Sequence, residues 1–217
     1  MQKWFGALFP IFSVLLLLWI EQSIGVSYGV KTFAKVILFV GIPLLLFRAT
    51  KFPFLRLRKA DRKSMQLAFL LGIAIMALII GAFLLLQPRI DIASLRDDLL
   101  QSGITPAVFP FIAFYILIGN SFIEEFFFRG LLPNLFGQSK IRFILPPFFF
   151  AIYHIAIFLP WFTLPILLLA IGGLWAGGLI FQLANEKCRT LLPSWIIHMF
   201  ADVGILLIGV YVLYFYH

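Results

Sequence analysis

The sequence is poor in charge and almost free of cysteine. Charged residues make up 12% of its 217 residues, against about a quarter in soluble domains, which excludes a soluble globular protein. The single cysteine, Cys188, excludes an intrachain disulfide. Apolar residues account for 63% of the chain, and they form runs close to the roughly 20 residues that cross a bilayer. The composition is therefore typical of a membrane protein.

The apolar runs predict an all-α polytopic bundle of transmembrane helices, because backbone amides in lipid must bond within their own helix. Seven spans are predicted, or eight if the last stretch breaks near Gly204. They cover residues 4–20, 30–47, 64–86, 106–132, 143–159, 164–183 and 191–216. The chain divides into N-terminal spans at residues 1–105, with a basic loop and an outer linker, and a second bundle at residues 106–216.

The ends of the spans carry their own signals. Lys31 and Lys35 lie near the start of the second span, where long side chains are expected to reach the interface. The apolar spacing over residues 92–99 predicts a short interfacial helix, and residues 185–190 are expected to form a loop. The sixth span has glycine pairs that favour close helix packing, at residues 172–173 and 177–178.

Lysine and arginine are distributed unevenly between the two predicted sides of the membrane. Alternating spans place twelve of the seventeen on the side of the basic segment 48–63 and two on the other. Because cytoplasmic loops are rich in Lys and Arg, we expect a cytoplasmic amino terminus and a location in the cell membrane. The basic segment is expected to contact anionic membrane lipids and no nucleic acid.

Ionisable residues inside the apolar spans are the clearest functional signal, because burial of unpaired charge is costly. The fourth span contains Glu124 and Glu125, the fifth contains His154, and the last contains His198 and Asp202. Counting 1.5 Å per residue from the span ends places Glu124 and the two histidines about 10–16 Å from the cytoplasmic side. Three helices are thus expected to meet at one level.

Helix geometry distinguishes the two glutamates. Glu125 and Arg129 are four residues apart and can pair, whereas Glu124 points about 100° away and would be left free for chemistry. A glutamate with a histidine can activate water for attack on a carbonyl, and a second histidine can donate to the oxyanion. Alternatively, the carboxylates and imidazoles could bind zinc; the ligands would be Glu124, His154, His198 and Asp202.

Three motifs in this order resemble those of the CPBP family of intramembrane proteases, also called the Abi or CAAX prenyl endopeptidase family. They are Glu124-Glu125 with Arg129, Phe150 with His154, and His198 with Asp202. The resemblance covers about residues 106–216 and implies an endopeptidase that acts on a peptide or protein, with or without a lipid. It implies catalytic roles for Glu124, His154, His198 and Asp202, supported by Glu125, Arg129 and Phe150.

Asp202 departs from the family pattern, because prenyl-protein processing members typically have Asn at this place. An ionised Asp202 cannot donate a hydrogen bond to an oxyanion; it would orient or charge His198, or ligate a metal. Two other functions stay open: a non-catalytic membrane factor for bacteriocin immunity or assembly, and a proton-coupled transporter. A transporter predicts inverted repeats, and the two halves of the sequence show no such symmetry.

Overall fold

The computed structural model describes residues 2–22, 26–46, 60–136 and 140–216, with side chains from residue 8 onward. The regular elements in these residues are all helices. They are α1 (Gln2–Gln22), α2 (Tyr28–Leu46), α3 (Arg62–Arg89), α4 (Ile92–Gln101), α5 (Phe109–Leu135), α6 (Ile141–Phe158), α7 (Leu164–Cys188) and α8 (Leu192–Phe215). The predicted all-α class is confirmed for the described residues.

Six of the described helices are long and apolar enough to cross a membrane: α2, α3 and α5 to α8. The chain is thus a polytopic membrane protein. The predicted count of seven is not confirmed, because the part of α1 with described side chains is the shorter segment Leu8–Gln22. Helix α8 continues through Gly204 without a break, so the last apolar stretch is one helix.

Helix α7 continues about one turn beyond its last apolar residues, and the loop predicted at residues 185–190 is wrong for residues 185–188. The helix ends at Cys188, where Arg189 takes a left-handed conformation with a φ of 52°. Asn185 is buried and bonds Ser194 at the start of α8 in both directions, at 2.6 and 3.1 Å. Polar residues continue the helix here because the neighbouring helix supplies their partners.

The short helix predicted over residues 92–99 is confirmed as α4. Asp91 caps its start by accepting a hydrogen bond from the Ser94 backbone N–H at 2.9 Å. Of the basic segment, residues 48–59 lie outside the described residues. Its last residues lead into α3, whose start is capped in the same way by Asp61.

The core that positions the site joins the N-terminal helices to the second bundle. Phe39 of α2 stacks on Phe127 of α5 with ring centres 4.0 Å apart, and it meets Tyr153 of α6 edge-on at 5.5 Å. The rings of Phe9 of α1 and Phe127 also contact each other edge-on, with centres 6.2 Å apart. Residues 1–105 therefore contribute directly to the core around α5.

Small residues decide how closely the other helices approach. A Cβ at Gly72 of α3 would lie 2.5 Å from the Phe200 ring, which places α8 tightly against α3. In α7 only Gly178 shows the close packing expected of its glycine pairs, since a Cβ there would lie 3.0 Å from Pro147. The other three glycines, at 172, 173 and 177, have nothing within 4 Å of that position among the described residues.

Candidate active site

A single α-helical turn of α5, Ser121–Glu125, carries both glutamates into the interior of the bundle. It lies between π-helical turns at Tyr115–Asn120 and Phe126–Leu131, a rare geometry that is frequent at functional sites. Glu124 and Glu125 are both buried. Because successive residues of a helix point about 100° apart, the two carboxylates meet different neighbours.

Glu125 is held by Arg129 and His198. Its Oε1 accepts a hydrogen bond from Arg129 Nη1 at 3.0 Å and lies 2.8 Å from His198 Nδ1. An ionised carboxylate only accepts, so His198 Nδ1 carries the proton of this bond. The Arg129 guanidinium lies over the Phe150 ring, 4.1 Å from its centre. The ion pair expected from the spacing of Glu125 and Arg129 is therefore present.

Glu124 uses its two oxygens differently. Its Oε1 accepts hydrogen bonds from Lys35 Nζ and from Asn120 Nδ2, each at 3.1 Å. Its Oε2 is buried and has no hydrogen-bond partner among the described residues. This oxygen lies 3.9 Å from His154 Nε2 and 3.7 Å from His198 Nε2. One oxygen is fixed by cationic and amide donors, and the other faces the two imidazoles.

His154 lies at an interruption of α6, between Ile141–Tyr153 and Ile155–Phe158. Its Nδ1 is 2.7 Å from the backbone carbonyl of Phe150, which can only accept. The proton of the imidazole is thus on Nδ1, and Nε2 presents a lone pair toward Glu124. The Phe-x-x-x-His spacing brings the carbonyl of its first residue to the ring of its last.

Asp202 lies one turn after His198 on α8. Its Oδ1 is 3.7 Å from His198 Nε2, and its buried Oδ2 has no hydrogen-bond partner among the described residues. Asp202 and His154 are each 13% exposed, more than Glu124 at 2%. The four residues expected to be catalytic from the sequence are therefore brought together, with Asp202 on the far side of His198 from Glu125.

Residues 106–204 match the family model described as type II CAAX prenyl endopeptidase, Rce1-like. This segment is therefore similar to the Rce1-like family. The resemblance predicted from the three motifs is confirmed over these residues, which include all seven side chains quoted for it. No curated protein and no solved structure shows a significant match to the chain. The matched family is a family of proteases, and the matched segment excludes α1 to α4.

Two residues that contact Glu124 were not expected at the site. Lys35 does not extend to the interface, and that prediction is wrong; its Nζ is bonded to Glu124 and, at 2.7 Å, to Asn120 Oδ1. Glu124 was expected to be left unpaired because Arg129 pairs with Glu125. It is instead paired with Lys35. The sequence could have indicated Asn120 as a neighbour of Glu124, since it is polar, lies in an apolar span and precedes Glu124 by four residues.

Among the described residues, no group of three or more His, Cys, Asp or Glu is identified as placed to hold a metal ion. One Glu124 oxygen is also bonded to the ammonium of Lys35, whose positive charge would oppose a cation at the carboxylate. The zinc alternative therefore finds no support in the geometry, and the reaction proposed below uses water and the protein's own groups.

Proposed function

We propose that the protein is an intramembrane endopeptidase of the cell membrane that cuts a peptide or protein, lipidated or not, near the cytoplasmic leaflet. The observation that supports this most is the position of Glu124 Oε2, which faces both imidazoles, 3.7 Å from His198 and 3.9 Å from His154. The match of residues 106–204 to a protease family supports the same chemistry.

Water activation is the first step of the proposed reaction. Separations of 3.7 and 3.9 Å exceed a direct hydrogen bond, but a water can reach two such atoms at about 2.8 Å. Glu124 Oε2 takes one proton from this water. His154 Nε2 accepts a hydrogen bond from the other O–H group, which stays on the oxygen, and so orients the water. The water oxygen then forms a bond to the carbonyl carbon of the substrate.

His198 stabilises the oxyanion in this proposal. One lysine and one arginine balance the two glutamates, so Asp202 is the remaining anion of the cluster and a protonated His198 balances it. The imidazolium donates Nδ1–H to Glu125 at 2.8 Å and offers Nε2–H to the developing oxyanion. Asp202, 3.7 Å from that nitrogen, charges His198 and does not itself donate.

Glu124 completes the reaction as a general acid. The proton that it took from water passes to the leaving nitrogen as the carbon–nitrogen bond breaks, and the carboxylate is restored. The products are a carboxylic acid that has gained the water oxygen and a free amine. A general base of this kind typically contributes about 10²–10⁴-fold in rate.

The test compares membranes that contain the wild-type protein, Glu124→Gln or a matched control, Glu21→Gln. Glu21 also pairs with a lysine, Lys31, at 2.8 Å, and among the described residues it makes no hydrogen bond or ion pair with either histidine. Terminal proteomics should find a membrane protein that is cut with wild-type and Glu21→Gln and intact with Glu124→Gln. If its ends are the same in all three membranes, the protein is a non-catalytic membrane factor instead.

The proposed orientation is tested at the two ends of α3 in a Cys188→Ser background. Lys63 and Ala93 are exposed and lie near the start and beyond the end of this helix. A membrane-impermeant thiol reagent should label cysteine at position 93 from outside, and cysteine at position 63 only after the cytoplasmic side is opened. The reverse pattern would place the site near the outer leaflet and overturn this part of the proposal.

A further inference from the structure

Lys35 is a buried cation that the proposed reaction does not use. It belongs to α2 and so lies outside the Rce1-like residues 106–204. Its ammonium is 2.7 Å from Asn120 Oδ1, 3.1 Å from Glu124 Oε1 and 4.9 Å from the centre of the Tyr153 ring. A lysine is rarely buried unless it is paired, and here the partner is the proposed general base.

Asn120 closes a triangle between the lysine and the glutamate. An ammonium only donates, so the Asn120 atom bonded to Lys35 is its carbonyl oxygen. The amide nitrogen is then the atom that faces Glu124, and it donates to Oε1 at 3.1 Å. Two donors on Oε1 fix the plane of the carboxylate, and this plane directs Oε2 toward the histidines.

The N-terminal helices hold Lys35 in place. Phe39, one helical turn further along α2, stacks on Phe127 of α5 with ring centres 4.0 Å apart. Phe39 lies within a π-helical turn of α2, Ile37–Gly41. The packing of Phe39 on Phe127 thus fixes the part of α2 that carries Lys35 against α5.

We infer that Lys35 is a positioning residue for the proposed reaction: it holds Glu124 as a carboxylate and directs Oε2 at the water to be activated. The inference rests on the proposed function. It assigns a part of the site to the N-terminal helices, which would otherwise only complete the bundle. Lys31, one turn earlier on α2, makes a comparable pair with Glu21 at 2.8 Å and makes no hydrogen bond or ion pair with the site residues in the described structure.

The first experiment needs no substrate. Dicyclohexylcarbodiimide, an apolar reagent, reacts with protonated carboxyl groups, and mass spectrometry locates the modified residue. Glu124 should be modified at least about tenfold faster in Lys35→Met than in wild type, because a carboxylate that loses its cation in an apolar site takes up a proton. Lys31→Met should match wild type, and Lys35→Arg, which keeps the charge, should restore slow modification. Equal rates at Glu124 in Lys35→Met and wild type would overturn the inference.

The second experiment uses the substrate identified with Glu124→Gln. Lys35→Met should lower kcat by about 10²-fold, the effect of a misplaced catalytic group, and leave KM unchanged. A fall in activity that follows the loss of folded protein, with kcat of the folded fraction unchanged, would contradict a positioning role. If no substrate depends on Glu124, the proposed function fails while the carbodiimide result still decides the pairing.

A double variant covers the case in which Lys35→Met folds poorly. Lys35→Met with Glu124→Gln removes both charges of the pair, and it should melt closer to wild type than Lys35→Met alone. In the single variant Glu124 must either take up a proton or stay buried as an unpaired charge, and both cost stability that a neutral glutamine does not. The matched pair is Lys31→Met with Glu21→Gln. A double variant no more stable than the single one would show that the two side chains are not coupled, which overturns the inference.

Discussion

The two adjacent glutamates of α5 have surroundings that differ in their access to water. Glu125 faces the Arg129 side of the site, where both partners of the ion pair are 0% exposed. Glu124 faces the Lys35 side, where Lys35 is 11% and His154 is 13% exposed. A pair that is closed to water suits a structural role, and a carboxylate beside accessible imidazoles suits chemistry. We therefore propose two different roles for the same residue type at neighbouring positions.

The largest expected effect is the loss of cleavage rate on replacing Glu124, which lies on the side of the site with Lys35 and His154. Glu124→Gln keeps the size of the side chain and removes the base, so the cleavage rate of the folded protein should fall by about 10²–10⁴-fold. It also removes the counter-ion of Lys35, so the thermal melt should fall, but less than for Glu125→Gln, because Lys35 is 11% exposed and Arg129 is 0% exposed. Both quantities are measured on purified protein with the substrate identified from membranes. If Glu124→Gln melts early while Glu125→Gln is stable and inactive, the roles of the two glutamates are reversed.

The next effect is on stability at the Arg129 side. Glu125→Gln leaves the Arg129 charge buried and unpaired, which should lower the free energy of unfolding by about 3–5 kcal/mol. Replacing the arginine as well, in Glu125→Gln with Arg129→Met, should recover part of this loss. Denaturation in detergent measures all of these variants. A double variant less stable than Glu125→Gln would contradict the ion-pair explanation.

Helix packing behind Arg129 should have a smaller effect. A methyl group at Gly178 would lie 3.0 Å from Pro147 Cβ and 3.1 Å from Arg129 Nη2, so Gly178→Ala should cost about 1–3 kcal/mol of stability by overpacking. Gly177→Ala is the matched control, because no described atom lies within 4 Å of the new methyl. Equal stability of the two variants would mean that α7 can shift away from Pro147 and Arg129 at little cost, and that the packing at Gly178 is not tight.

The smallest expected effect concerns metal ions. Strong chelators should leave the cleavage rate unchanged, and purified protein should carry less than one zinc per chain. The reason is that the Lys35 ammonium is paired with the Glu124 carboxylate and would repel a cation there. Elemental analysis and a chelator titration measure this. Stoichiometric zinc that is lost in His198→Ala would make the Lys35 side a metal centre and replace the glutamate mechanism.

Much of the fold was predictable because the signals are local. Apolar runs in a sequence with little charge identify the spans, and the pattern over residues 92–99 identified α4. The ends of helices were less predictable: α7 continues past Leu183 through Asn185, which bonds Ser194 across the helix ends. A polar residue after an apolar run suggests a loop unless its partner, distant in sequence, is known.

The sequence by itself determined the class of the protein, the spacing of the motifs and the pair of Glu125 with Arg129, because composition and four-residue spacing act within one helix. Only the tertiary structure decided that Lys35 binds Glu124. The side chain of a lysine near a span end can reach either the interface or the interior, and the choice depends on which helix lies opposite. The packing of Phe39 on Phe127 makes that choice, because it sets α2 against the glutamates of α5.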